Sequence, residues 1–122
     1  MKTLNIASIP GDGIGKETVP AGRQILDAAA EVHGGLRLEY RDFDWSYEYY
    51  AKHGARMPED GLEIIRPFDA IFLGALGFPE VPTHISLWGL WLAIRTALRS
   101  YVNLEPIDYT VLCAAPAGAT AP

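Results

Sequence analysis

The chain reads as an alternating α/β domain, and three observations carry that reading. A short apolar run at residues 3–9 stops at Pro10-Gly11 and is followed by apolar residues at helical spacing. A period-two stretch comes next, with Leu36, Leu38 and Tyr40 alternating with Arg37, Glu39 and Arg41. Further on, Asp69-Ala-Ile-Phe-Leu-Gly74 repeats the first arrangement, an apolar strand delivered into a loop of small residues. Strands interleaved with helical patterns, without internal repeat or heptad, define the class.

Each element has a local cause. Leu4, Ile6 and Ile9 give residues 3–9 the character of a buried strand ending in a turn. Over residues 16–33 the positions Val19, Ile25, Leu26, Ala29 and Val32 recur at helical spacing, and Pro20 is tolerable if it lies near the first turn. Gly34-Gly35 closes that helix. Leu36, Leu38 and Tyr40 face inward on a strand with one wetter side. Residues 42–50 lead into a short helix ended by Gly54, and Met57-Pro58-Glu59 opens another that carries Leu62, Ile64 and Ile65 before Pro67. After the strand at residues 69–74 comes a second glycine loop, residues 74–79. Residues 86–100 read as mainly helical, with Leu90, Ile94 and Leu98 on one stripe and Arg95 and Arg99 one turn apart on a neighbouring face. Residues 114–122 are rich in Ala, Pro and Gly without periodicity and are expected to be a frayed tail.

Bulk properties narrow the function. With 122 residues, 49% of them hydrophobic, the chain has the size of one ordinary domain. A formal net charge of −5 and the lack of any Lys/Arg run argue against nucleic acid or an anionic membrane surface as main partner. A small anionic substrate remains compatible, because a few local arginines can act inside an acidic shell. The lone cysteine, Cys113, cannot form an intramolecular disulfide, which favours a reducing compartment. No apolar segment has the length of a signal peptide or a bilayer span, so the expected location is cytoplasmic.

The first loop, Ile9-Pro-Gly-Asp-Gly-Ile-Gly15, tempts one to read a phosphate cradle. A P-loop fails, because Gly15-Lys16 is followed by Glu17 and Pro10 holds the first glycine's place. A dinucleotide G-x-G-x-x-G also fails, because its third glycine falls on Lys16 and Asp12 brings negative charge. Two readings of the paired glycine loops stay open: ligand contacts flanking one crevice at the strand ends, or simply sharp turns at positive φ.

Other chemistry-bearing residues have similar alternatives. Arg95 and Arg99 suit a jointly held dicarboxylic acid, or a solvated helix face. His33, His53 and His84 lack a second ligand at metal spacing and fit surface or capping roles. The aromatics Phe43, Trp45, Tyr47, Tyr49 and Tyr50 are interleaved with Asp42, Asp44 and Glu48, which suits packing rather than a phosphate-facing stacking platform. Cys113 has no partner that would activate it, and no role is assigned to it.

Taken with Lys16-Glu17, the first loop resembles the opening signature of the β-decarboxylating dehydrogenases, the isocitrate and isopropylmalate dehydrogenase family. Further stretches strengthen the resemblance: Phe43-Asp-Trp-Ser46, Tyr49-Tyr-Ala-Lys-His-Gly54, Met57-Pro-Glu-Asp-Gly61, Arg66-Pro-Phe-Asp-Ala-Ile-Phe-Leu-Gly-Ala75 and His84-Ile-Ser-Leu-Trp-Gly89. They are most similar to the tartrate dehydrogenase/decarboxylase and D-malate dehydrogenase branch, over residues 3–104. The resemblance implies NAD-dependent oxidation of a 2-hydroxy diacid, decarboxylation for suitable substrates, and a divalent Mg²⁺ or Mn²⁺. It implies an isopropylmalate-dehydrogenase-like α/β sandwich rather than a Rossmann fold, working as a homodimer. Carried over residue by residue, Ile14 lies at the adenosine side of the cofactor, and Gly74, Ala75, Leu76 and Gly77 line its nicotinamide side. Trp88 touches the nicotinamide ribose, Trp91 and Leu92 face the substrate's variable group, and Arg95 forks onto the substrate carboxylate.

The departures have consequences too. The family pattern Asn-Leu-Arg-Pro reads Asn103-Leu104-Glu105-Pro106 here, replacing attraction for a carboxylate by repulsion. Beyond Pro106 the likeness fades, and the family's proton-moving tyrosine and lysine, its metal-binding aspartates and most of its adenine pocket have no counterpart. The expectation is an amino-terminal piece of the large domain over residues 1–106, followed by a divergent, disordered tail over 107–122. A reading-frame shift near Leu104 would account for that tail. Such a piece alone is expected to be inactive; the alternative is a non-catalytic nucleotide-binding or subunit-interaction module.

Overall fold

A computed structural model of the protein describes residues 1–100. Strand β1, Lys2–Ile9, lies at the centre of a three-stranded sheet of order β2-β1-β3, with β2 at Leu36–Asp42 and β3 at Ala70–Leu73. Both pairings are parallel; Lys2 lies beside Leu36 and Ser8 beside Asp42 on one edge, and Ile6 beside Ala70 and Ile9 beside Leu73 on the other. Parallel neighbours demand crossovers. Helix α1, Gly15–His33, makes the first, and residues 43–69 make the second, carrying α2 at Tyr47–His53 and α3 at Gly61–Ile65. The α/β class follows from this arrangement. The expected sequence Asn103–Pro106, the tail at 107–122 and Cys113 lie outside the described residues.

Strand alternation divides the layers. Ala7 and Ile9, with Ile71 and Leu73 beside them in register, face a core that also holds Phe43, Trp45, Ile65, Leu90 and Ile94. Ser8 and its neighbour Phe72 point to the opposite face, where Gly22 of α1 rides so close that an added Cβ would lie 2.7 Å from Phe72 Cζ. The carboxyl half of β1 is therefore covered on both sides, and Ala7, Ser8 and Ile9 have no exposed surface. The edge strand β2 keeps the alternation its sequence predicts, with Leu36, Leu38 and Tyr40 half-buried and the charged residues between them exposed.

Helix α1 spans the expected residues, with two further details. It begins at Gly15, so Pro20 stands in the second turn; the carbonyl of Lys16 loses its N–H partner, but both residues are exposed and water can replace it. Its apolar stripe is only partly used. Val19 and Ala30 are buried, whereas Ile25 is 72% and Val32 90% exposed among the described residues. Gly34, at φ 67°, ends the helix with its N–H donating to Ala30 O.

The segment from Thr83 onward is helical, as its spacing predicts, but not one regular helix. A short α4, Thr83–Ser86, runs into a π-helical turn, Leu87–Trp91, and then α5, Leu92–Ala97. In the wide turn the N–H of Leu92 reaches Leu87 O, five residues back. The expected stripe is kept, with Leu90 and Ile94 buried and Leu98 packed on the core. The helix stops short of Arg99, which takes a left-handed φ of 54°.

Candidate functional site

The two glycine loops leave the adjacent strands β1 and β3 at the same end of the sheet and are tied together by Asp12. Its carboxylate is closed on Arg56 by two bonds, Nη1 to Oδ1 at 2.9 Å and Nη2 to Oδ2 at 2.6 Å. Neither side chain has exposed surface. The same carboxylate accepts from the backbone N–H of Tyr47, at the start of α2, and of Gly77, in the second loop. Arg56 Nη2 also donates to Ser86 Oγ at the end of α4. Burial pushes the Asp12 carboxyl up, but Arg56 and the Gly77 and Tyr47 amides outweigh it and hold its pKa below the ordinary carboxylate value.

This network decides what the first loop does. The N–H of Asp12 donates to Ala75 O, that of Gly15 to Asp12 O and that of Lys16 to Gly13 O, while Glu17 and Thr18 both donate to Ile14 O. A phosphate cradle needs such groups unpaired and pointing outward. They point into the loop instead, so the turn-forming reading of these glycines holds, with Gly11 at φ 75° and Gly13 at φ 45°. The charge of Asp12, which counts against a pyrophosphate in the sequence, is cancelled by Arg56, and the N–H groups of Asp12, Gly15 and Lys16 are used inside the loop. Closeness adds to this. A Cβ on Gly74 would lie 2.1 Å from Pro10 O, so the two loops meet backbone to backbone.

Beside the joined loops lies a cavity of about 490 Å³, lined by Gly74, Leu76, Gly77 and Phe78 of the second loop and by Ser86, Leu87 and Trp91 of the following helical segment. Its volume falls in the range of small-molecule sites, about 300–1,000 Å³. The second loop is held there by more than Asp12. Tyr47 stacks on Phe78 with ring centroids 4.2 Å apart, and its hydroxyl donates to Glu80 at 2.7 Å. That bond, made to the protonated phenol beside a carboxylate, raises the Tyr47 pKa.

The predicted site residues fall into two groups around Trp91. Gly74, Leu76, Gly77 and Trp91 meet at the large cavity. Leu92, Arg95 and Arg99 share a smaller recess of about 280 Å³ with Thr96 and Ser100. Trp91 joins them, because the Arg95 guanidinium lies 5.1 Å from the centroid of its ring. Arg95 Nε also donates to Ser100 O. Ala75 is exposed beside the cavity and uses its carbonyl on Asp12. Ile14 and Trp88 stand outside the cavity lining, 60% and 69% exposed. Among the described residues no group of three His, Cys, Asp or Glu could hold a metal ion.

Sequence reasoning missed Arg56 and Ser86. The one signal for Arg56 is its isolation, a single cation between Gly54-Ala55 and Met57-Pro58. Nothing local marks Ser86, since its partner is thirty residues away.

A parallel sheet with glycine loops joined at its strand ends, and a cavity beside them bounded by a π-helical turn, make up an α/β unit with a pocket at its strand ends. The chain belongs to the isocitrate/isopropylmalate dehydrogenase family, which it matches over residues 5–120. It is 54% identical over 107 residues to a probable tartrate dehydrogenase/decarboxylase of Bacillus subtilis (strain 168), covering 87% of this chain and 30% of that protein. It is 52% identical over 109 residues to the decarboxylating D-malate dehydrogenase of Escherichia coli (strain K12), covering 88% of this chain and 30% of that one. Among solved structures it is similar to a β-decarboxylating dehydrogenase from Thermococcus kodakarensis in its apo form, with a TM-score of 0.56 and 31% identity over 79% of this chain and 27% of that chain. The chain thus spans about 30% of the length of these curated relatives. No helix among the described residues is long and apolar enough to cross a membrane.

Proposed function

We propose that the sequence belongs to an NAD-dependent enzyme oxidising a 2-hydroxy diacid such as tartrate or D-malate, with decarboxylation where the substrate allows it. The described residues form the cofactor side of its site. The observation that carries this reading is the cavity at which Gly74, Leu76, Gly77 and Trp91 converge. Its glycine-loop wall allows close backbone approach, its other walls are mostly apolar, and Trp91 in its wall has the guanidinium of Arg95, from the smaller recess, over its ring. That arrangement suits a nicotinamide ring on one side of the tryptophan and a carboxylate held by guanidinium groups on the other.

The Mg²⁺ or Mn²⁺ that such chemistry uses finds no set of protein ligands among the described residues. The metal ligands are assigned to residues beyond the described ones, and the described residues alone are proposed not to support turnover. A homodimer in the cytoplasm is the proposed setting. Calorimetric titration with NAD, with and without D-malate or tartrate and Mn²⁺, tests the reading alongside an NADH absorbance assay. Saturable NAD binding without hydride transfer supports both statements. NADH formation overturns the inactivity, and failure to bind NAD overturns the cofactor-side assignment.

A second reading, a non-catalytic nucleotide-binding or subunit-interaction module, is favoured by the outward apolar residues Ile25 and Val32 of α1. Sedimentation equilibrium separates the two. Self-association abolished by Val32→Lys, together with no NAD binding, selects the subunit-interaction form of that module.

A further inference from the structure

Ser86 is set into the wall of the large cavity, yet its side chain is tied to the buried ion pair behind it. Among the described residues its Oγ takes part in one hydrogen bond, as acceptor from Arg56 Nη2. A serine hydroxyl has one proton and two lone pairs. With a lone pair committed to Arg56, the proton is left to donate, and the residue is only 4% exposed, so bulk water is a poor acceptor for it. Arg56 cannot turn away, because two of its nitrogens are fixed on Asp12.

The electrostatics of the wall choose the acceptor. Asp12 and Arg56 cancel each other, so no net positive charge stands behind Ser86. The Gly77 N–H is spent on Asp12 and is not offered to an anion. Leu73, Leu76, Leu87 and Trp91 supply apolar surface. A flat apolar group carrying a neutral carbonyl oxygen matches this combination, and an anion does not.

We propose that Ser86 is a binding residue of this cavity, donating its hydroxyl proton to the neutral carbonyl or carboxamide oxygen of the molecule that occupies it. The inference rests on the proposed function, in which the carboxamide of a nicotinamide ring is an acceptor of this class. It adds a residue and a selectivity that the family resemblance does not assign.

The test uses the full chain, with tryptophan fluorescence and amide chemical shifts as readouts and nicotinamide, nicotinate, pyridine and NAD as probes. Nicotinamide is expected to bind about tenfold more tightly than pyridine, which lacks the carbonyl, and than nicotinate, which is charged. Ser86→Ala should reduce nicotinamide binding to the level of pyridine, and Ser86→Thr, which keeps a hydroxyl, should retain most of it. Equal affinity for nicotinamide and pyridine in the unaltered chain overturns the inference without recourse to any variant. So do a preference for nicotinate, absence of nicotinamide binding, or a folded Ser86→Ala that binds nicotinamide undiminished. Ser86-dependent nicotinamide binding without NAD binding sustains the inference and defeats only the dinucleotide reading.

Discussion

Asp12 and Arg56, forty-four positions apart in the chain, form a two-pronged ion pair with no exposed surface on either side chain. The pair joins the turn after β1, the start of α2, the second glycine loop and the end of α4. Removing one member strands the other charge in the interior. Arg56→Met is expected to cost about 3–5 kcal/mol of unfolding free energy, measured by urea denaturation. A loss below about 1 kcal/mol would mean that water reaches Asp12.

The same carboxylate sets an acid limit. Its folded-state pKa lies below the unfolded value of about 3.9. The stability it contributes is therefore complete above that unfolded value and is lost as pH falls through the folded one. Urea midpoints should hold steady from neutral pH to about 5 and then decline below about 4. In Asp12→Asn that acid decline should be shallower. Glu48, whose pKa is lowered by its hydrogen bond from Lys16, is exposed and adds little. An equally steep decline in Asp12→Asn would assign the limit to other groups.

Two glycines with similarly short clearances should respond differently to alanine. At Gly74 the obstacles include backbone, with Pro10 O 2.1 Å from the added carbon, so the loops must separate. At Gly22 the obstacle is the tip of the Phe72 ring, and alanine gains about 1 kcal/mol of helix propensity over glycine. Gly74→Ala should lose about 1–3 kcal/mol, whereas Gly22→Ala should stay within about 1 kcal/mol of the parent. Thermal denaturation of the two variants checks the order, and the reverse order would contradict the backbone contact between the loops.

The outward face of α1 yields a third contrast. Because Ile25 and Val32 are exposed, Ile25→Glu and Val32→Lys should each change stability by no more than about 0.5 kcal/mol. Leu90→Ala, at a site with no exposure, should cost about 2–5 kcal/mol. Chemical denaturation at two protein concentrations measures both. A large loss for Val32→Lys would show that this face is covered in solution.

The sequence made the alternation of strands and helices legible because period-two and 3.6-residue patterns are local properties. Leu36, Leu38 and Tyr40 announce β2 by themselves, and Leu90, Ile94 and Leu98 announce their stripe. The π-helical turn between Leu87 and Trp91 was not legible, since one extra residue in a helical turn leaves the composition unchanged. The exposure of Ile25 and Val32 on α1 was not legible for a different reason. Spacing shows which residues share a face, while burial depends on whether another element lies against it. The family resemblance assigns Gly74, Ala75, Leu76 and Gly77 to the cofactor side and Trp91 to the substrate side; the structure brings Gly74, Leu76, Gly77 and Trp91 to one cavity and leaves Ala75 out of its lining. Arg56 and Ser86 escaped because their roles exist only through contacts with distant residues.

The central place of β1 governs how the chain must assemble. Its partners are parallel strands that begin at Leu36 and Ala70, so no hairpin can seed the sheet. During synthesis β1 emerges before both of its neighbours and must wait through one crossover for β2 and through a second for β3. The central strand is thus enclosed only when its last neighbour arrives, and a nascent chain that stops short of Ala70 would expose one edge of β1 to any passing strand or chaperone.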